Sequence, residues 1–341
     1  MLHENVELQG IEELTEGASG GVCLQRVPES LRPHLNEGAK GRVLMPACAE
    51  IRFVTDDNKA RVTLSGVDGE VQISPFFGMY RNASCFTVGT EPTTFEIEMP
   101  EGFASRLPAL EKITHPFAPR VCRVMMRGAQ VCLHGVEGDG MRPPEREEVP
   151  WLRYLAYGTS ITHGGNASWP HLTYVAQAAR RIGADLINLG LGGACHCEPE
   201  MADYIAARTD WHIATLALSV NMVGGFTREQ FAERVEYLVN AVVGVDHSRP
   251  VACITLYPYF NDLEPRGSEA ADKAASFREI LREIVASSPH PNVHLLEGPE
   301  MLPDMGGLSA DLIHPADDGM IQMGENIARR LQPLVNSIPR G

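Results

Sequence analysis

The feature that most constrains the fold is a change of hydrophobic periodicity near residue 150. From Gly21 to about Val136, short apolar runs alternate with polar residues and turn signals, as in segments 42–45, 50–54, 61–64, 70–73, 94–98 and 121–124. Such period-two alternation predicts antiparallel strands packed as a β-sandwich. From Leu152 onward, apolar runs alternate with amphipathic helical patterns, which predicts an α/β domain with a parallel sheet.

The chain is long enough for two hydrophobic cores, since it has 341 residues. We place the sandwich in residues 1–136 and the α/β domain in residues 151–341. Residues 137–150 are rich in Gly, Pro and charged residues and read as a linker.

The α/β region has recognisable element boundaries. Ser168 is a candidate cap for a helix that ends at Gly183, and Thr227 with Gln230 forms a capping-box pattern before a helix through Val243. The predicted strands are 152–157, 185–189, 212–220, 251–257 and 293–297, and two later helices are predicted over 269–287 and 317–335.

Bulk composition argues against several classes of partner. The formal net charge of −15 opposes binding to nucleic acid and to anionic membranes. No stretch of 18 apolar residues and no signal-peptide pattern is present, so we expect a cytoplasmic protein. The eight cysteines are spread through apolar stretches without the dense spacing of a disulfide framework, and we predict that they are reduced core residues.

Four groups of polar or small residues follow predicted strands. Ser160 follows the first strand, the glycine-rich segment 190–193 follows the second, Asn221 follows the third, and Asp311 and His314 lie in the last loop. Because the carboxyl ends of parallel strands meet at one edge of a sheet, these groups are expected to converge. A serine, a histidine and a carboxylate are the groups that an activated nucleophile requires.

Each of these residues also has a structural interpretation when taken alone. Ser160 is suited to capping a helix, and His314 and Asp311 are suited to an ordinary loop. Asn221 is suited to a turn, and Gly193 to a tight turn. The catalytic interpretation therefore depends on all four groups occurring together and in this order.

The set resembles the SGNH hydrolases, also called the GDSL esterase/lipase family, over roughly residues 152–335. The motifs that carry the resemblance are Gly158-Thr159-Ser160-Ile161, Asn188-Leu189-Gly190-Leu191-Gly192-Gly193, Ser219-Val220-Asn221 and Asp311-Leu312-Ile313-His314. Three positions depart from the family pattern: Thr159 replaces the usual acidic residue, and Ser219 and Met222 replace the glycine and the aspartate of the usual Gly-x-Asn-Asp. The resemblance implies a flavodoxin-like doubly wound sheet.

The resemblance also implies roles for individual residues. Ser160 would be the nucleophile, His314 its base, and Asp311 the group that orients the base. The oxyanion hole would consist of the backbone N–H groups of Ser160 and Gly193 and the side-chain amide of Asn221, with Gly190 or Gly192 as alternative donors to Gly193.

A metal or cofactor is not expected. Cys195-His196-Cys197 suggests a metal site at first sight, but its spacing is too tight for the usual zinc pattern and no second Cys/His cluster completes it. His196 is more simply a wall of the pocket beside the glycine block.

The sequence thus predicts a serine esterase acting on short acyl esters of a carbohydrate or small hydroxylated metabolite. This substrate follows from the resemblance to SGNH hydrolases that carry a preceding β-sandwich. An acyltransferase that uses the same site and a non-catalytic carbohydrate-binding protein remain alternatives. The oligomeric state is left open.

Overall fold

The computed structural model describes residues 1–339, and their N-terminal part contains two antiparallel sheets. One sheet has the order β1-β2-β5-β11-β7-β8, with β9 also paired to β7, and the other has the order β10-β6-β12-β4-β3. The strands are β1 Leu2–His3, β2 Val6–Gln9, β3 Glu13–Glu16, β4 Val22–Gln25, β5 Glu50–Phe53, β6 Lys59–Gly66, β7 Val71–Phe77, β8 Tyr80–Arg81, β9 Phe86–Val88, β10 Thr93–Glu98, β11 Cys122–Gly128 and β12 Val131–Glu137.

Alternating burial packs the two sheets against each other. In β6, Val62 and Leu64 are fully buried while Arg61 is exposed. Their partners in the core come from both sheets and include Ile51 and Val124. The predicted β-sandwich is therefore confirmed.

The segment 42–45, predicted as a strand, is not one. Asn36 caps a short helix, α1 Glu37–Arg42, by accepting a hydrogen bond from the backbone N–H of Ala39. The chain then turns, with Val43 buried, and approaches the second half of the molecule. Because Asn36 starts a helix here, residues 42–45 end that helix and form a turn, although their composition is typical of a strand. Two further helices of this half are α2 Glu101–Ala104 and α3 Leu107–Leu110.

The second half is a doubly wound α/β layer structure, as predicted. Its five parallel strands have the order β14-β13-β15-β16-β17, with apolar cores on both faces. The strands are β13 Arg153–Gly158, β14 Asp185–Gly190, β15 Ile213–Ala217, β16 Val251–Ile254 and β17 Val293–Leu296.

Helices cover both faces of this sheet. The α-helices are α4 Ser160–His163, α5 Tyr174–Ile182, α6 Pro199–Ala207, α7 Val220–Val223, α8 Arg228–Val243, α9 Glu269–Ser287, α10 Gly298–Met301 and α11 Asp317–Ser337. Short 3-10 helices occur at Arg32–His34, Arg146–Glu148, Pro170–Leu172, Phe260–Leu263 and Met305–Gly307. Within residues 1–339, no helix combines the length and apolar character that crossing a membrane would require.

Two predicted boundaries are wrong for local reasons. The helix α5 is capped by Thr173 and not by Ser168, because the Thr173 hydroxyl accepts from the N–H of Ala176 after a separate 3-10 turn. The third strand ends at Ala217, and Asn221 lies in the short helix α7. The capping box of Thr227 and Gln230 is present as predicted.

The prediction that all cysteines are reduced is wrong for one pair. Cys23 and Cys132 form a disulfide, because they face each other directly in the register of β4 and β12. Their sequence separation of 109 residues hides this proximity from spacing arguments. The other six cysteines are free, and all of them except Cys85 are buried.

A buried ion-pair network joins the two halves. Arg52, on β5, pairs with Asp185 at the start of β14 and with Glu50, and all three side chains are at most 3% exposed. Arg123 pairs with Glu50 from the next strand. Burial by itself raises the pKa of Glu50, but the charges and hydrogen bonds of Arg123 and Arg52 outweigh this effect and lower the pKa to about 2. The network is therefore ionised, and each charge has a partner.

A second buried cation links the halves through backbone carbonyls. Arg26 donates from Nη1 to the carbonyl of Asn188 at 2.7 Å and from Nη2 to the carbonyl of Gly190 at 3.0 Å, both on β14. The same guanidinium donates to the carbonyls of Arg42 at 2.6 Å and Met45 at 2.5 Å. Burial lowers the pKa of Arg26 to about 10. Arg26 thus fixes the 42–45 turn against the end of β14.

We predict that Arg52→Met strongly destabilises the protein, because it leaves Glu50 and Asp185 buried without their shared cation. The expected loss is about 3–5 kcal/mol in the free energy of unfolding, measured by urea titration. The matched control is Arg61→Met, which removes an exposed pair with Glu137 and should cost at most about 1 kcal/mol. Equal urea midpoints for the two variants would contradict the structural role of the network.

Candidate active site

Ser160 lies at the point where the strand order reverses. The chain leaves β13 toward β14 on one side, and β15 returns to the other side of β13. A crevice opens at such a switch point, at the carboxyl ends of the strands. Ser160 is the first residue of α4, two residues after β13. Gly158 makes this turn possible, because a Cβ there would lie 2.3 Å from Thr162 Oγ1 and 2.6 Å from the carbonyl oxygen of Ala217.

Ser160, His314 and Asp311 form one hydrogen-bonded chain. The Oγ of Ser160 lies 2.7 Å from Nε2 of His314, and Nδ1 of His314 lies 2.8 Å from Oδ2 of Asp311. Because an ionised carboxylate can only accept, the imidazole proton belongs on Nδ1, and Nε2 accepts from the serine hydroxyl. This arrangement can withdraw the serine proton during nucleophilic attack.

A tight loop shapes Asp311 for this contact. Its Oδ1 accepts from the backbone N–H groups of Ile313 and His314, each at 2.9 Å, and Asn166 donates to Oδ2 at 3.0 Å. Partial burial raises the pKa of Asp311, but the hydrogen bonds from the His314 backbone, the His314 side chain and the Ile313 backbone lower it to about 2. Asp311 is therefore a carboxylate throughout the neutral range.

The glycine block offers one free backbone donor. Gly190 N–H is used by Asn188 Oδ1 at 2.8 Å, and Gly192 N–H is directed at Nδ1 of His163 at 3.4 Å. Gly193 has a φ of +72° and is exposed, and its N–H has no acceptor within residues 1–339. Among the three candidate glycines, Gly193 is therefore the one whose N–H is available to a substrate oxygen.

Asn221 is oriented by the glycine segment. Its side-chain oxygen accepts from the backbone N–H of Cys195 at 3.2 Å. This contact uses the oxygen end of the amide, and the Nδ2 donor is left for the cavity that Asn221 lines. Ser160, Gly193 and Asn221 thus line the same cavity.

Asn188 supports the site from inside the sheet and was assigned no role from sequence. Its amide nitrogen donates to the carbonyl of Thr162 at 2.8 Å, while its oxygen holds the Gly190 N–H. It ties the serine helix to the glycine block. Its position in the Asn-Leu-Gly motif was the only signal in the sequence.

The cavity at the site has a volume of about 540 Å³. Both halves of the molecule line it, and the sandwich half contributes two arginines, Arg42 and Arg127. Neither residue could be assigned to the site from sequence, because each lies in a run that resembles an ordinary strand. A neighbouring depression of about 480 Å³ shares Val220 and Ile313 with the cavity and includes Tyr259 and Phe260.

The Cys195-His196-Cys197 segment does not contribute to the cavity. Cys195 and Cys197 are fully buried, and His196 packs against Phe226 with ring centroids 5.1 Å apart. The expectation that His196 lines the pocket is therefore wrong, because this packing turns its ring elsewhere. Within residues 1–339, no group of three or more His, Cys, Asp or Glu side chains is arranged to hold a metal ion.

Ser219 holds a strained backbone conformation just before Asn221. Its φ is +105° and its ψ is −55°, which residues with a side chain rarely adopt. Its hydroxyl is buried and has no hydrogen-bond partner in the described chain. The turn ends β15 and starts α7, and it thereby sets the direction in which Asn221 points.

Comparison with known proteins identifies relatives of this architecture. The profile of the GDSL-like lipase/acylhydrolase family matches residues 153–332. The salicylyl-acyltransferase SsfX3 from a tetracycline biosynthetic pathway superposes with a TM-score of 0.75 at 18% identity, covering 97% of this chain and 96% of that one. A putative GDSL-like lipase from Bacteroides ovatus gives 0.69 at 16% identity, over 97% and 98% of the two chains.

A carbohydrate esterase also shares the fold. A family two carbohydrate esterase from Clostridium thermocellum, solved with cellohexaose, gives a TM-score of 0.58 at 14% identity, over 85% of this chain and 92% of that one. The search of curated protein sequences finds no match.

We predict that Ser219→Gly increases stability, because glycine tolerates a positive φ and the unpaired hydroxyl is removed. Release of strain of about 1–3 kcal/mol, less the roughly 0.5–1 kcal/mol entropic cost of glycine, leaves a net gain of about 1 kcal/mol in the free energy of unfolding. Ser219→Ala is the matched control, since it removes the hydroxyl but keeps the strain. Urea titrations in which the alanine variant is the more stable of the two would refute the strain.

Proposed function

Because the chain belongs to the GDSL-like lipase/acylhydrolase family, we propose that it is a serine esterase that hydrolyses short acyl esters of a carbohydrate or small hydroxylated metabolite. The observation that carries the proposal is the 2.7 Å contact between Ser160 Oγ and His314 Nε2 at the mouth of an open cavity.

The proposed reaction proceeds through an acyl-enzyme on Ser160. His314 takes the hydroxyl proton as Oγ attacks the ester carbonyl, and the resulting oxyanion accepts from the N–H groups of Ser160 and Gly193 and from the Asn221 amide. His314 then returns the proton to the leaving alcohol. In the second half, water repeats the attack on the acyl-enzyme and releases the acid.

Two features support a hydroxylated alcohol. Structural neighbours of this chain are described as carbohydrate esterases, one of them in complex with cellohexaose. The depression next to the cavity carries Tyr259 and Phe260, and Phe260 is 41% exposed. An exposed aromatic ring beside polar groups suits the apolar face of a sugar ring.

An acyltransferase is the second candidate. It is favoured by the likeness to the salicylyl-acyltransferase over almost the full length of both chains. In such a reaction, an alcohol replaces water in the attack on the acyl-enzyme. Product analysis after incubation with an activated acyl ester and graded concentrations of sugars or other small alcohols separates the two, because only a transferase forms the new ester faster than the free acid.

A carbohydrate-binding protein without activity is the third alternative. The ordered Ser160–His314–Asp311 contacts argue against it, since binding alone does not require a hydroxyl aligned on a base. A tight glycan ligand on a protein inert to all esters would favour it.

We predict that a fluorophosphonate probe labels the protein once, at Ser160. Ser160→Ala should lose the label and lower kcat by about 10³-fold or more, as loss of a triad member does. The labelled peptide is identified by mass spectrometry. Ser309→Ala, in the loop before Asp311, is the control and should keep the label. Undiminished hydrolysis by Ser160→Ala would contradict the proposed nucleophile.

We predict that Asp311→Asn lowers kcat sharply. We also predict that the acid limb of the wild-type pH–rate profile does not arise from titration of Asp311. A carboxyl with a pKa of about 2 is ionised at every pH above that value, so its orienting contact is lost only as the pH falls through about 2. The asparagine amide removes this contact at all pH values. The surface variant Asp304→Asn should leave kcat unchanged. The hypothesis fails if both variants keep wild-type kcat.

We predict that kcat/KM falls from acetyl or butyryl to octanoyl esters. Most residues around Ser160 are small or polar, and only Met45, Val220 and Ile313 add apolar side chains to the lining in the described chain, so a longer acyl chain should gain little of the roughly 0.8 kcal/mol per methylene that full burial supplies. A series of 4-nitrophenyl esters measures this directly, since the leaving group stays constant. A tenfold rise across the series would indicate an apolar acyl groove and a lipase.

A further inference from the structure

The cavity at Ser160 carries a charge opposite to that of the whole protein. The chain has 44 acidic and 29 basic residues. The lining of the cavity, however, includes Arg42 and Arg127 and neither an aspartate nor a glutamate among the described residues. Neither arginine forms an ion pair within residues 1–339, whereas arginines such as Arg52, Arg123 and Arg282 do.

Arg42 lies beside the nucleophile. Its Nε donates to the carbonyl of Gly192 at 2.9 Å, and its backbone carbonyl is held by Arg26. A Cβ added at Gly192 would lie 3.7 Å from Ser160 Cβ and 3.8 Å from Arg42 Cδ. The guanidinium is therefore held at the rim of the oxyanion region while its Nη2 has no acceptor in the described chain.

Arg127, on β11, lies against the segment after α4 that also contacts His314. Its Nη1 donates to Gln72 Oε1 at 3.1 Å and to the carbonyl of Ala167. A Cβ added at Gly164 would lie 3.7 Å from Arg127 Cδ, and one added at the next residue would lie 3.0 Å from His314 Cδ2. Arg127 is half-buried, and burial lowers its pKa. Its charge is thus partly desolvated, and Asp317, the acidic residue that acts on it, is not close enough to form an ion pair with it.

The positive charges of Arg42 and Arg127 both act on the cavity at Ser160. The pKa of His163, which lies on the cavity wall, is well below its usual value, first because of burial and then because of Arg26, Arg42 and Arg127. A desolvated guanidinium gains most from an anion that can accept two parallel hydrogen bonds, and carboxylate and phosphate have that geometry. Arg127 is half-buried, so leaving it without an ion-pair partner is costly unless a ligand supplies the opposite charge, whereas Arg42 is exposed and adds a second positive charge to the same cavity.

We propose that Arg42 and Arg127 select esters that carry an anionic group, a carboxylate or a phosphate, close to the scissile carbonyl. The inference rests on the proposed esterase function and deepens it by adding charge to the substrate. The net charge of −15 does not oppose this selection, because both arginines line the cavity that contains Ser160, whereas no aspartate or glutamate of the described chain lines it, and salt screens charges farther than about 10 Å away.

The test compares esters that differ only in charge. On the acyl side, mono-4-nitrophenyl succinate is compared with its methyl ester. On the alcohol side, an acetyl ester of glycerol 3-phosphate is compared with monoacetylglycerol. Wild-type kcat/KM should favour the anionic member by about 10- to 100-fold in at least one pair, as expected for a charged hydrogen bond. The pair that shows the preference identifies which side of the ester carries the anion.

Arginine variants locate the source of the preference. In Arg42→Met and Arg127→Met, the ratio of kcat/KM for the anionic ester to that for the neutral ester should fall toward 1, mainly through KM. Arg127→Lys keeps the charge without the planar fork and should retain part of the ratio, which covers the case in which Arg127→Met does not fold. Arg61→Met, on the exposed face of the sandwich, should keep the wild-type ratio.

A binding measurement separates this inference from the esterase proposal. The rate at which a fluorophosphonate labels Ser160 is measured in the presence of a competitor. One pair of competitors is monomethyl succinate and its neutral counterpart dimethyl succinate, and the other is glycerol 3-phosphate and its neutral counterpart glycerol. Stronger protection by an anionic competitor than by its neutral counterpart, lost in the arginine variants, supports the selection even if turnover is slow. Labelled protein that shows no charge preference in either pair, in turnover or in protection, overturns the inference but leaves the esterase intact. Absence of labelling at Ser160 overturns both.

Discussion

The buried guanidinium of Arg26 ties the sandwich to the carboxyl end of β14. It holds the carbonyls of Asn188 and Gly190, at the end of β14, and those of Arg42 and Met45, in the turn after α1. Backbone carbonyls satisfy its donors without requiring a second buried charge. Arg26 thereby sets the distance between the glycine block and α1. Within residues 1–339, α1 is the only helix of the sandwich half that lines the cavity, through Arg42.

Strain and order are distributed unequally around the cavity. His314 is held by a compact set of hydrogen bonds to Asp311, whereas the direction of the Asn221 amide depends on an unfavourable backbone conformation at Ser219. Conformations of this kind persist only where surrounding contacts determine them. Here the contact is the N–H of Cys195, which holds the Asn221 oxygen from the neighbouring segment. The packing of the glycine block and the orientation of the Asn221 amide therefore depend on each other.

The sequence was sufficient to predict what depends on local order along the chain. The alternation of strands and helices, and the placement of Ser160 after a strand and of His314 in the last loop, follow from periodicity and from the topology of parallel sheets. It was not sufficient for features that arise when distant strands meet. The Cys23–Cys132 pair depends on the register of β4 and β12, and Arg127 reaches the cavity only because the sandwich packs on the α/β layer.

The strand β14 lies at one end of the parallel sheet, so one row of its backbone groups has no neighbouring strand. Side chains from the sandwich occupy that row, with Gln9 donating to the carbonyl of Leu186 at 3.4 Å and Arg26 to the next two carbonyls on the same side. An uncovered edge strand is a template for pairing with other chains. We therefore expect a fragment that begins within residues 137–150, and so lacks the first half, to aggregate by edge-to-edge pairing of β14. In the whole chain, the first half protects the second against this self-association.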